Sequence, residues 1–223
     1  MVQWVYEAAR RVAAVDRVVV ATDDQRIADA VAGFGGEAVM TDADHPSGTD
    51  RVAEAARQIG GEIVVNVQGD EPLIDPQVVA AAIEPLLGDP AVVMSSLCTR
   101  IRSETDWRDP NVVKVVCARN GDALYFSRAP IPHPRGGGEA AALPLFKHLG
   151  LYVYRHDFLQ RLTQLPPSPL EEIERLEQLR VLEAGYRIRM VETTEDSIGV
   201  DTQSDLDRVR ALVVGSGGGE SGR

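Results

Sequence analysis

The amino-acid sequence predicts an α/β chain built on a doubly wound, mostly parallel sheet with a small antiparallel extension. Three observations lead there. Short β-branched runs alternate several times with amphipathic helical stretches, the pattern of βαβ units. The run Ile63-Val64-Val65-Asn66-Val67, between Gly61 and Gly69, is almost continuously apolar, which suits a strand covered on both faces. Between residues 92 and 154, strand-like pieces follow one another without a long helix, as an antiparallel addition would.

Taken in order, Val2, Val5, Tyr6, Ala9 and Val12 recur at helical spacing and predict a helix over 2–13. Arg17–Ala21 reads as a strand closed by Thr22-Asp23-Asp24. Ile27, Ala28, Val31 and Phe34 share one face of a helix that Gly35-Gly36 stops, and Glu37–Met40 is a second strand. After the loop His45-Pro46-Ser47-Gly48, Thr49 or Asp50 can cap a helix reaching Ile59. The apolar strand 63–67 follows, then a helix over 76–87. Residues 92–99, 112–118 and 124–126 are the successive strand-like pieces, and Gly136-Gly137-Gly138 marks a flexible loop. A strand at 149–154 leads to a helix at 157–164 and the stiff turn Pro166-Pro167-Ser168-Pro169. Ile173, Leu176, Leu179, Val181 and Leu182 give 170–184 an apolar stripe, hence one long amphipathic helix. A strand at 187–191 and a helix at 202–214 complete the pattern. Residues 1–214 are expected to form a single domain, with 215–223 a disordered Gly/Ser-rich tail.

Composition narrows the function. The 223 residues are 44% hydrophobic, enough for a real core, and 26% charged. A net charge of −11, from 34 acidic and 23 basic residues, repels nucleic-acid phosphates and anionic lipids. Neither nucleic acid nor membrane is an expected partner, while a small anion can still be held by a local cluster of Arg and Lys. Cys98 and Cys117 lack C-x-x-C spacing and read as unpaired thiols suited to a reducing, cytoplasmic setting. No apolar run approaches the ~18–20 residues of a membrane span. Glu7, Arg10 and Arg11 break any signal-peptide pattern at the start.

In open α/β sheets, ligands bind beyond the carboxyl ends of the strands. The richest such edge is Gln68-Gly69-Asp70-Glu71-Pro72, where Gly69 allows close backbone approach and Asp70 offers a hard oxygen of the kind Mg2+ takes. Asp201, at the junction Gly199-Val200-Asp201-Thr202, is a second carboxylate of this kind. Both also suit a helix cap, and the residues alone leave that open. Arg51, Arg128 and His148 are the remaining polar candidates. No Walker loop, serine-hydrolase elbow or G-x-G-x-x-G is present.

Together these segments carry a resemblance. The stretches VVVATDD (18–24), GGEAVMTDADHPSGTDRVAEA (35–55), IVVNVQGDEPLI (63–74) and NVVKVV (111–116) resemble the 3-deoxy-D-manno-octulosonate (Kdo) cytidylyltransferases. So do ALYFSRAPIP (123–132), KHLGLYVYR (147–155), PSPLEEIERLEQLRVLEAG (167–185) and GVDTQSDLDRVR (199–210). The resemblance implies a Rossmann-like nucleotidyltransferase fold and transfer of CMP from CTP to the anomeric hydroxyl of Kdo, with pyrophosphate released and Mg2+ required. Carried over by motif, Asp70 and Asp201 hold the metal, and Ser47, Gly48, Arg51 and Gln68 lie on the nucleotide side. Arg128, His148, Tyr152, Glu177 and Gln178 lie on the sugar side, Arg128 forking onto the sugar carboxylate. A homodimer and a place in lipopolysaccharide biosynthesis are implied too. The alternatives are 8-amino-Kdo or another acidic sugar as acceptor, or an inactive binding or assembly module.

One block of the family pattern has no counterpart, the opening strand and its phosphate loop, since Met1–Val5 aligns with the helix after them. A central strand of about five apolar side chains at about 2 kcal/mol each is comparable with a domain's whole stability. The sequence as written is therefore expected to be unstable and nearly inactive unless another piece replaces the strand, with Met1 an internal methionine of a longer protein.

Overall fold

The computed structural model describes residues 1–136, 142–195, 200, 207 and 209. Their elements are α1 (Val2–Arg10), β1 (Val20–Thr22), α2 (Gln25–Gly33), β2 (Ala38–Met40), α3 (Gly48–Ile59), β3 (Ile63–Asn66), α4 (Pro76–Gly88) and β4 (Met94–Arg100). They continue with α5 (Glu104–Arg108), β5 (Lys114–Cys117), β6 (Ala123–Ser127), β7 (Phe146–Arg155), α6 (His156–Leu162), α7 (Pro169–Glu174), α8 (Gln178–Glu183) and β8 (Arg189–Thr193). Asp201, the tail 215–223, the loop at Gly137-Gly138 and all of the expected helix 202–214 except Asp207 and Val209 lie outside the described residues.

Local chemistry explains most boundaries. Asp24 and Asp75 cap α2 and α4 by accepting from the backbone N–H two residues on, and Pro76 starts α4 where its missing N–H is harmless. Ser47, rather than Thr49 or Asp50, caps α3 through the Asp50 N–H. At the start of α7 the Glu171 carboxylate accepts from the Ser168 backbone N–H at 3.1 Å, one half of a capping box.

β3, β4, β5 and β8 run in one direction and β6 and β7 against them, so most strands point one way, although among the described residues β4 and β8 are this sheet's one parallel pair and the other pairings are antiparallel. The antiparallel part is not peripheral. In the order β6-β5-β7-β4-β8, both β4 and β7 lie inside the stretch read as an extension, yet they form the middle of the sheet. Parallel β1 and β2 pair only with each other, and among the described residues no strand joins them to the larger sheet.

The side chains of β7 alternate between two cores, as a strand's period of two requires. Leu149, Leu151 and Val153 pack with Ala8 and Val12 near α1 and with Val79, Ala82, Ile83 and Leu86 of α4. Tyr154 faces the opposite way, with Ala53 and Ala56 of α3, Phe158 and Leu159 of α6 and Leu179 of α8. Helices on both faces make the sheet doubly wound.

Two features of this framework place the site. β4 pairs with β7 along nearly its whole length, whereas the other edge of β7 is shared, β3 taking 152–155 and β5 taking 146–147. The sheet is split between them. The second feature corrects the long helix expected over 170–184, which breaks into α7 and α8 at Arg175, a left-handed residue with φ 55°. Neither Gly nor Pro lies at the break, so local propensity does not cause it. Instead the Glu174 carbonyl accepts from Arg128 Nε at 2.8 Å and the Arg175 carbonyl from Arg128 Nη2 at 3.4 Å, bonds that replace the helical ladder. Ile173, expected in the apolar stripe, is left 77% exposed.

Candidate functional site

A cleft of about 540 Å³, within the usual range for small-ligand sites, opens where the sheet splits. Its walls come from the start of α3 (Gly48, Thr49), the end of β3 (Asn66, Gln68), the approach to β5 (Asn111, Val113) and β7 (Lys147, His148, Tyr152). The α7–α8 break completes it with Arg175, Glu177 and Gln178.

β7 builds the floor through an irregularity. Ser96 lies opposite Tyr152 but Leu97 lies opposite Leu149, so Gly150 and Leu151 are out of register with β4. Four residues of regular strand span ~13 Å. Here the rings of His148 and Tyr152 are only 5.3 Å apart between centroids, and Phe126 meets His148 edge-on at 5.1 Å. The Gln68 amide donates to the Gly150 carbonyl at 3.4 Å, tying the end of β3 to the irregular segment. Burial depresses the His148 imidazole to about 4, so the ring is neutral at physiological pH. Burial, helped by the Glu177 charge, also raises the Tyr152 phenol, which stays protonated and donates to Gln178 Oε1 at 3.2 Å. Thr49 Oγ1 donates to Glu177 Oε2 at 2.7 Å, joining the first turn of α3 to the helix break.

The structure thus brings together six of the residues singled out in the sequence, namely Gly48, Gln68, His148, Tyr152, Glu177 and Gln178. Ser47 lies beside them, in a small recess it shares with Tyr152, Glu177 and Gln178. Arg51 is elsewhere. It donates to Thr41 Oγ1 at 2.7 Å and pairs with Asp23 at 3.3 Å, holding together the loops after β1 and β2.

Arg128 also departs from expectation. It does not line the cleft, and besides the two bonds at the helix break its Nη1 donates to the Pro110 carbonyl at 3.0 Å. Its backbone N–H and the neighbouring Ser127 hydroxyl both donate to the Glu174 carboxylate. Arg128 therefore clamps two rim segments, 110–112 and 174–176, instead of presenting an open fork to a ligand.

Asp70 sits in the turn after β3, between Gln68 and Glu71, which both line the cleft. Its carbonyl accepts from the Val200 N–H at 2.9 Å, so the backbone immediately before Asp201 is bonded to Asp70. Among the described residues no hydrogen bond or ion pair engages the Asp70 carboxylate, and no three His, Cys, Asp or Glu side chains cluster as a metal site. Asp201 lies outside the described residues. A partly exposed, unengaged carboxylate is a donor suited to a Mg2+ ion that keeps most of its ligands from water and phosphate.

Several cleft residues had not been singled out. Asn66 had a legible signal, a polar residue closing an apolar strand at a ligand-binding edge. Lys147 precedes His148 in the segment already singled out, whereas nothing at the sequence level marks Arg175.

Residues 1–190 match the cytidylyltransferase family model. The 3-deoxy-manno-octulosonate cytidylyltransferase of Syntrophotalea carbinolica is 58% identical over 96% of this chain and 88% of its own length. That of Geobacter metallireducens is 54% identical over 94% and 85%. Among solved structures, a CMP:2-keto-3-deoxy-manno-octonic acid synthetase complexed with CTP superposes with a TM-score of 0.91 at 46% identity, covering 96% of this chain and 88% of that one. The sheet split, the cleft within it and these likenesses converge, and the chain belongs to the 3-deoxy-manno-octulosonate cytidylyltransferase family.

Proposed function

We propose that this chain transfers CMP from CTP to the anomeric hydroxyl of Kdo, giving CMP-Kdo and pyrophosphate. The observation that carries this reading is the cleft itself. In a member of this family, six polar or backbone-exposing residues singled out for the two substrates meet at one split in the sheet.

The reaction is an in-line displacement at the α-phosphate, so the protein's task is positioning and charge neutralisation. The first turn of α3, with Gly48 and Thr49 at the cleft, turns its free N–H groups and positive dipole end toward an anionic nucleotide. Gln68 fixes the irregular segment of β7. Neutral His148, protonated Tyr152, Glu177 and Gln178 supply the donors and acceptors that a polyhydroxylated sugar needs. Lys147 and Arg175 bring positive charge to the same wall, suited to the sugar carboxylate. Asp70 and Asp201 would hold Mg2+, which when bound offsets phosphate charge and eases deprotonation of the attacking hydroxyl. The same reading makes the enzyme a cytoplasmic homodimer that supplies activated Kdo for lipopolysaccharide.

The test is pyrophosphate release from CTP and Mg2+ with Kdo, 8-amino-Kdo or sialic acid as acceptor. Turnover with Kdo above the other two is expected, together with a loss of at least about a hundred-fold in Asp70→Ala. Equal turnover with sialic acid would refute the assigned acceptor, and wild-type rates in Asp70→Ala would refute the metal role.

A further inference from the structure

Ser96 is fully buried in β4, was not singled out in the sequence, and makes three short contacts through one hydroxyl. Its Oγ lies 2.8 Å from His148 Nε2, 2.8 Å from the Leu151 carbonyl and 3.2 Å from the Leu149 carbonyl. A hydroxyl has one proton to give. Carbonyl oxygens can only accept, so that proton must go to them. An Oγ that pointed its proton at His148 would face the Leu151 oxygen at 2.8 Å with nothing between them, two lone pairs set against each other in a buried site. The contact to His148 therefore runs the other way, with Nε2–H donating to Oγ.

We infer that Ser96 is a positioning residue that fixes His148 as the Nε2–H tautomer, leaving Nδ1 as a lone-pair acceptor for a substrate hydroxyl in the cleft. The imidazole stays neutral at physiological pH, so one nitrogen carries a proton and the other does not. The same hydroxyl bridges the carbonyls of Leu149 and Leu151, which flank Gly150 in the out-of-register segment, and so holds the kink that brings His148 and Tyr152 together. One buried side chain thereby sets both the shape of the cleft floor and its hydrogen-bonding polarity. The proton on Nε2 follows from the geometry and the bare Nδ1 from the burial that keeps the ring neutral, whereas the choice of a sugar hydroxyl as its partner rests on the function proposed above.

The experiment is nitrogen-15 NMR of the histidine-labelled full chain, whose four histidines are few enough for His148→Gln to assign the signal. The Nε2–H form is expected in the wild type and in Ser96→Thr, with loss of that preference in Ser96→Ala. Steady-state kinetics of the same variants should show the KM for Kdo rising about three- to ten-fold in Ser96→Ala, the worth of one neutral hydrogen bond. The KM for CTP should be unchanged, and Ser96→Thr should restore Kdo binding. A merely structural role would not move one substrate alone. Should Ser96→Ala not fold, the wild-type spectrum and Ser96→Thr still decide. An Nδ1–H His148 in the wild type, or an unaltered His148 signal in Ser96→Ala, overturns the inference. The Nε2–H form in a chain that does not use Kdo upholds the tautomer and overturns the assigned substrate.

Discussion

Replacing Arg128 with alanine separates a clamp from a ligand. If the guanidinium holds the rim, the variant loses two well-formed bonds to backbone carbonyls, at 2.8 Å to Glu174 and 3.0 Å to Pro110, and a weaker one at 3.4 Å to Arg175. Arg128 is partly exposed, so each good bond is worth about 1 kcal/mol, near the neutral rather than the charged figure. The expected loss is about 2 kcal/mol, or about 4–8 °C in Tm for a domain of this size. Because the released segments carry Asn111 and Arg175 and the second adjoins Glu177, affinity for the sugar should fall in parallel. Arg128→Lys places one charge but cannot reach three carbonyls, and should recover less than half of either loss. The assay is thermal unfolding without ligand, followed by sugar KM on the same samples. An unchanged Tm with a raised sugar KM would refute the clamp and return Arg128 to direct contact with the sugar carboxylate.

Two further outcomes follow from single residues. Arg175→Gly removes a Cβ from a left-handed position at the end of α7 and should raise stability by about 1 kcal/mol, or about 2–4 °C in Tm; a lowered Tm would show that the backbone there is not strained. His148 has its folded-state pKa depressed to about 4 from 6.5. The unfolded chain thus binds the proton first as pH falls, and stability present above pH 6.5 is lost progressively down to about 4, by at most about 3 kcal/mol. Denaturant unfolding between these limits should show that slope in the wild type and not in His148→Gln, and an equal slope in both would refute the depressed pKa.

Much of the site was legible before the fold. The run Ile63–Val67 announced a buried strand and placed Gln68 and Asp70 at its carboxyl end, where α/β sheets bind ligands. His148 stood among several polar candidates, and Tyr152 was found only through the resemblance. Regular strand geometry would put them too far apart to share a contact, and the out-of-register segment that joins them depends on the pairing of β7 with β4. The motif names Arg128 as a residue type and not its direction, and the carbonyls it binds in this structure lie 18, 46 and 47 residues away.

Periodicity and turn chemistry, which act over a few residues, are written in the sequence, and with them came the α/β class, the alternation of elements and most helix starts. Contacts between distant segments are not written there. The splitting of one edge of β7 between β3 and β5, the break at Arg175 and the tautomer set by Ser96 all arise where a polar group meets a partner far along the chain. Each buried donor or acceptor must be satisfied by whatever the completed fold places beside it, and only the tertiary structure decides what that is.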